Sequence, residues 1–247
     1  MRNRPFSAEK GTNMNIEIDK VYNMDCIDGM RLMKEQGIKA DMLLTDIPYG
    51  VVNARSNGRE HYKGQLRQIK KGKADTLTFD LKQYLELTDS IITNNFIIFC
   101  GTEQISQIID FYGIKGYTTR LLIWEKTNPS PMNGEKVYLS GIECAVYAKK
   151  AGAIYNGFCK NTVFRYPCGD NKIHPTQKPL KLWYELLNDN TNENQIVLDT
   201  CAGSFTTAVA CHKMQRHYIG FELDKEYYEL GQKRLQEEQN QISIFDL

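Results

Sequence analysis

The stretch Leu43-Leu44-Thr45-Asp46-Ile47-Pro48-Tyr49-Gly50 is an apolar run that stops abruptly on an acid, a proline, an aromatic ring and a glycine. An uninterrupted apolar run of this length reads as a strand buried on both faces of a parallel sheet. Such a strand delivers Asp46, Pro48 and Tyr49 to its own carboxyl end, where open α/β sheets bind their ligands. Working outward, Lys20 to Asp25 reads as a short strand ending in an acid, followed by a helix that Asp28 can cap and Gly37 stops. Asp80 and Gln83 have capping-box spacing before a helix with Leu81, Tyr84, Leu85, Ile91 and Ile92 on its apolar face. Phe96 to Cys100, Arg120 to Trp124, Glu143 to Ala148, Gln195 to Asp199 and His217 to Glu222 read as further strands. Between and after them lie helices over Glu103 to Tyr112, from Thr176 or Pro179 to Asn188, over Phe205 to Met214, and from Asp224 to about Asn240. This alternation predicts an α/β fold: a doubly wound, mostly parallel, seven-stranded sheet with helices on both sides.

The chain of 247 residues is long enough for one substantial core. It divides into an N-terminal tail (1–15), a single domain (16–240) and a C-terminal tail peptide (241–247). With 41% hydrophobic and 25% charged residues it has an ordinary globular composition. No apolar run approaches membrane-spanning length and the N-terminus has no apolar signal core, so a cytoplasmic protein is expected. Seven cysteines without any Cys-x-x-Cys pair are expected to be reduced and mostly buried, and no metal is implied. A net charge of +1 means that any nucleic-acid footprint must be local. The stretch 51–78, with Arg55, Arg59, His61, Lys63, Arg67, Lys70, Lys71 and Lys73, is one candidate, the alternative being a solvated loop that touches nothing specific. An insert over 149–173, without helical or strand period, is another.

A second constellation lies more than 150 residues after the first. Asp199 ends a buried strand, Ala202-Gly203-Ser204 form a small turn, and a helix follows; about 20 residues on, another strand ends in Glu222. An acid in that position can accept hydrogen bonds from ribose hydroxyls, which implies a cofactor that contains a ribose.

Asp46-Ile47-Pro48-Tyr49 resembles the Asp-Pro-Pro-Tyr signature of DNA methyltransferases that modify exocyclic amines. Asp199-Thr200-Cys201-Ala202-Gly203-Ser204-Phe205-Thr206-Thr207 resembles the cofactor motif Asp-Pro-Phe-x-Gly-Ser-Gly-Thr-Thr of the beta class of these enzymes. His174-Pro175-Thr176-Gln177-Lys178-Pro179 matches the motif that precedes it. The order, catalytic before cofactor motif, is the permuted order of that class. Matching segments run from about Val21 to Leu235, with the character of solitary phage or prophage enzymes. The resemblance implies a Rossmann-like methyltransferase fold and S-adenosylmethionine as cofactor. Asp25 would accept from the cofactor's adenine amine and Glu222 would bind its ribose. Asp199, Gly203 and Ser204, with Thr176 and Lys178, would hold its methionine end. The structural alternatives are a strand-end acid for Asp25, a helix cap for Thr176 and a surface lysine for Lys178.

The resemblance also implies a target base flipped out of double-stranded DNA onto Asp46, Pro48 and Tyr49. An exocyclic amine is a poor nucleophile because its lone pair is delocalised into the ring. Acceptance of its two N–H bonds by Asp46 and by a main-chain carbonyl of the Ile47-Pro48 segment would aim the lone pair at the methyl donor. Three departures stand out: Ile47 for a proline, Thr200-Cys201 for Pro-Phe, and Phe205 for a glycine, where a phenyl group would crowd the cofactor. The leading expectation is adenine-N6 methylation, as in restriction-modification systems. The alternatives are cytosine-N4 methylation, which uses the same geometry, and a non-catalytic DNA-binding module with a degenerate cofactor pocket. A NAD oxidoreductase is disfavoured because Gly-x-Gly-x-x-Gly is missing. Gln241-Ile242-Ser243-Ile244-Phe245 resembles the short peptides that dock on the replication sliding clamp, the alternative being a tail packed on its own sheet. A homodimer is a further expectation from the class.

Overall fold

The computed structural model describes residues 14–49, 79–131, 134–169 and 177–245. The first strand, β1 (Lys20–Asn23), leads into helix α1 (Cys26–Glu35), and β2 (Ala40–Asp46) carries the opening motif. Helix α2 (Leu81–Ile91) feeds β3 (Ile92–Cys100), then come α3 (Ile105–Ile114), β4 (Thr118–Lys126), β5 (Ile142–Lys149) and β6 (Val163–Tyr166). The last part runs α4 (Leu180–Asn190), β7 (Ile196–Asp199), α5 (Thr206–Lys213), β8 (His217–Glu222) and α6 (Lys225–Phe245).

The strands form one sheet of order β1-β8-β7-β2-β3-β5-β4-β6. It has eight strands rather than the expected seven, and the eighth is β6, which lies inside the 149–173 insert. Only four residues long, Val163-Phe164-Arg165-Tyr166 carries no strand period that separates it from a loop. It forms an edge by pairing parallel with β4. Pairing is parallel from β1 to β3, while β5 runs antiparallel to β3 and β4.

Side-chain alternation along the central strands splits the core in two. Leu43, Phe96, Ile98, Leu198 and Phe221 face α1, α2 and α3, with Met30, Met33, Tyr84 and Tyr112 filling the layer. Met42, Leu44, Ile97, Phe99 and Val197 face the other side, where Trp183, Leu186, Val209 and Leu235 cover them. Helix α1 begins one turn earlier than expected, because Asp25 rather than Asp28 is its cap: the Asp25 carboxylate accepts from the N–H groups of Ile27 at 2.8 Å and Asp28 at 3.4 Å. Helix α6 continues to Phe245, beyond the expected end near Asn240, so residues 241–245 are helical.

From β2 the chain proceeds to β3 on one side, and from β7 to β8 on the other, so the winding reverses between β2 and β7. That switch point is where doubly wound sheets open a crevice at their strand carboxyl ends. Asp46 and Asp199 end the two strands that flank it.

Candidate active site

Along the carboxyl edge of the sheet stand Asp25 just after β1, Glu222 on β8, Asp199 on β7 and Asp46 on β2. The antiparallel β5 begins at the same edge and brings Glu143 there. The acids separate into two groups with different surroundings.

Asp46 lies in a cluster of charges. One oxygen, Oδ2, receives the Lys178 ammonium in a short ion pair, and Oδ1 accepts the Tyr49 hydroxyl at 3.0 Å. Lys178 also contacts Glu143 Oε2 at 3.0 Å, the Tyr49 hydroxyl reaches the same oxygen at 3.3 Å, and Lys126 pairs with Glu143 Oε1 at 2.7 Å. The Lys178 side chain is 3% exposed, which excludes the surface-lysine reading. Burial pushes the Asp46 carboxyl up, partly offset by Lys178. Burial works the same way on Glu143, but its two lysines outweigh it and hold that carboxyl below its usual range. The Lys178 ammonium is held protonated against its burial by the two acids. Burial, then the neighbouring carboxylates, push the Tyr49 phenol up, so its hydroxyl remains a donor.

The backbone after Asp46 is pinned as well. Ile47 is buried and donates its N–H to the Phe99 carbonyl at 3.1 Å, which holds the side chain that replaces proline inside the core. Gln104 donates to the Pro48 carbonyl at 3.0 Å and accepts from the Gly101 N–H at 2.8 Å. A Cβ on Gly101 would stand 3.0 Å from the Tyr49 carbonyl oxygen, so glycine permits this close approach.

Asp199 is fully tied down. Its Oδ1 accepts from Thr45 at 2.9 Å and from the Cys201 N–H at 3.1 Å, and its Oδ2 accepts from Thr207 at 2.5 Å. Thr200, where the resembling motif has proline, joins a buried hydroxyl chain between Thr45 at 3.1 Å and Tyr84 at 2.7 Å. Burial pushes the Asp199 carboxyl up to about 6. Glu222 accepts from the N–H groups of Gly203 at 2.7 Å and Asp224 at 2.8 Å, and burial pushes it up to about 7. Ser204 is buried, and Arg234 of α6 donates to its carbonyl at 2.8 Å.

Phe205 does not crowd the turn. It sits in the left-handed region at φ 60° and ψ 31°, the conformation that makes glycine natural there, and its ring turns away under α6. A Cβ on Gly231 would lie 2.4 Å from that ring, so a glycine on α6 makes room for the phenyl. The ring packs edge-on against Tyr228. The Phe205 ring thus packs against Gly231 and Tyr228. A ribose fits this donor set, since Glu222 presents a carboxylate at a strand end with Gly203 beside it and Asp25 one strand away.

The structure therefore brings Asp46, Pro48, Tyr49 and Lys178 into one cluster, and Asp199, Gly203, Ser204 and Glu222 into the adjoining turn, with Thr45 bridging them through Asp199. Lys178 stands on Asp46 rather than beside Gly203. Thr176 and the stretch 51–78 lie outside the described residues. Asn128, just after β4, accepts from the Cys168 N–H at 2.6 Å. The sequence reading missed Glu143, Lys126 and Gln104. Glu143 had one signal, an acid at the head of the apolar run Cys144 to Ala148; Gln104 had none.

Residues 149–233 match a family model described as DNA methylase. The Type II methyltransferase M2.MboI of Moraxella bovis is 26% identical over 265 residues, covering 96% of this chain and 93% of that one. The DNA adenine methyltransferase YhdJ of Escherichia coli is 41% identical over 71 residues, 29% of this chain and 24% of its own length. The crystal structure of the M1.HpyAVI-SAM complex superposes with a TM-score of 0.67 at 28% identity, covering 87% of this chain and 98% of that chain. The chain is thus similar, over nearly its whole length, to a Type II methyltransferase, and its fold is similar to that of the M1.HpyAVI-SAM complex.

Proposed function

We propose that this protein, a DNA amino-methyltransferase that takes its methyl group from S-adenosylmethionine, modifies the N6 amine of adenine in double-stranded DNA. The observation that carries the reading is the pinned Asp46-Ile47-Pro48-Tyr49 turn near the Gly203 turn that Glu222 holds, at the switch point of the sheet. When bound, the cofactor supplies an electrophilic methyl on a sulfonium. Glu222 is suited to the ribose, Asp25 to the adenine end, and Gly203, Ser204 and Thr176 to the methionine end. Asp199 acts by shaping the turn, since both its oxygens are taken by Thr45, Cys201 and Thr207.

The chain's own residues prepare the amine. Asp46 accepts one N–H. A main-chain carbonyl of the Ile47-Pro48 segment is the second acceptor, and the bond from Gln104 to the Pro48 carbonyl favours that of Ile47. Two acceptors bias the nitrogen toward tetrahedral geometry, and positioning of this kind contributes several kcal/mol to lowering a barrier. The Tyr49 ring stacks on the flipped base. A fixed carboxylate next to a nitrogen that gains positive charge stabilises the transition state more than the ground state.

An aspartate at position 46 favours adenine over cytosine, as does the match to an adenine methyltransferase. The permuted beta-class order, a solitary phage-type origin, cytoplasmic location, homodimer formation and clamp docking through 241–245 belong to the same proposal. Loss of a measured clamp interaction on deleting 241–247 tests the last. Transfer of tritiated methyl from S-adenosylmethionine to adenine, read by nucleoside chromatography of digested DNA, tests the activity; label in cytosine instead identifies the N4 reaction.

A further inference from the structure

Both oxygens of Asp46 are occupied in the structure, one by the Lys178 ammonium and one by the Tyr49 hydroxyl. An incoming aryl amine is a neutral donor, and charge-assisted hydrogen bonds are roughly twice as strong as neutral ones. Each oxygen keeps a second lone pair, but the amine competes with the ammonium for the carboxylate's charge unless the ammonium has another carboxylate to turn to. Glu143 is placed for that: its Oε2 stands 3.0 Å from Lys178 Nζ and 3.3 Å from the Tyr49 hydroxyl, so each donor on Asp46 already touches the same second acceptor. Lys126, 2.7 Å from Glu143 Oε1, holds that carboxylate in place from the far side. Glu143 arrives on β5, a strand that carries none of the recognised motifs.

We propose that Glu143 is a positioning residue: it takes over Lys178 and the Tyr49 hydroxyl when a base amine donates to Asp46. The exchange leaves two cations on Glu143 and the full negative charge of Asp46 facing the amine. It also frees the Tyr49 ring to settle on the base with its hydroxyl still satisfied. No bond to a heavy atom forms or breaks in the exchange. The role rests on the amino-methyltransferase reading above.

The test compares wild type, Glu143→Gln, Glu143→Asp and the double variant Glu143→Gln/Lys178→Gln. The DNA is a duplex carrying the methylated site, with adenine or with purine, which lacks the exocyclic amine, at the target position. Glutamine keeps the shape but removes the charge that draws Lys178 off Asp46. Glu143→Gln should lower kcat about a hundredfold and abolish the preference of wild type for binding adenine over purine. S-adenosylmethionine affinity by calorimetry should be unchanged. Glu143→Asp should retain most of the preference. The double variant should recover about tenfold of the lost kcat, because no ammonium then holds Asp46. A folded Glu143→Gln protein that keeps both kcat and the adenine preference overturns the role, as does a double variant slower than the single one. Should Glu143→Gln not fold, a Glu143→Asp variant that loses the adenine preference likewise overturns it. Wild-type protein that binds the cofactor and methylates no DNA overturns the proposed function instead.

Discussion

In the proposed mechanism the chemistry depends on Asp46 and Glu222, and each is set by its neighbours. Replacing Asp46 with alanine removes the acceptor for the amine and leaves Lys178 with Glu143 alone. Methyl transfer should fall by about a thousandfold or more, while S-adenosylmethionine affinity, set on the other side of the switch point, should change less than about threefold. Glu222 carries a pH dependence. A carboxylate accepts from ribose hydroxyls through charge-assisted hydrogen bonds stronger than those a neutral carboxylic acid accepts, and burial places this group at about 7. Cofactor affinity should therefore rise with pH up to about 7 and level off above it, dropping about tenfold per unit below, and Glu222→Gln should bind weakly with a flat profile. Calorimetric titrations between pH 5.5 and 8.5 check both. The linkage to folding has the opposite sense: a carboxyl raised above its unfolded value stabilises the fold fully below that value, and this contribution is lost as pH rises through 7. The protein thus gives up some stability in the pH range where its cofactor site becomes competent.

At the scale of elements, the loop from β7 to α5 is the instructive case. Its phenylalanine, where the resembling motif has glycine, suggested a blocked pocket, because a sequence shows which side chain is present but not which way it leaves a left-handed backbone. Phe205 exits under α6, and Gly231, 26 positions later, is what accommodates it. Gly231→Ala should therefore destabilise the protein by about 1–3 kcal/mol through overpacking, and adding Phe205→Leu should recover part of that loss, both read from urea denaturation. Strands β2, β3, β5, β7 and β8 were legible because each is a long or uniformly apolar run. β6 was not, because Val163 to Tyr166 has no strand period and pairing with β4 rather than composition makes the strand. In the site, motif residues were legible because chemistry restricts their types and spacing. Glu143 and Gln104 were not: they act through contacts with Lys178, Tyr49 and Pro48 that join separate elements.

For the whole molecule, the reversal of winding between β2 and β7 explains why two motifs more than 150 residues apart make one site. Thr45 on β2 donates to Asp199 on β7, so the walls proposed to hold the base and the cofactor are locked together by a buried hydrogen bond. Thr45→Val should leave that oxygen of Asp199 short of a partner at a cost of about 1–3 kcal/mol, read as a lower Tm together with weaker cofactor binding. The measurement that bears most directly on the central claim is single-molecule sequencing of genomic DNA from a methylation-free bacterial host expressing this chain. N6-methyladenine at one recurrent sequence, absent when the host expresses Asp46→Ala, is the predicted result. Unmodified DNA in a host that accumulates the folded protein, or methyl groups confined to cytosine N4, would contradict it.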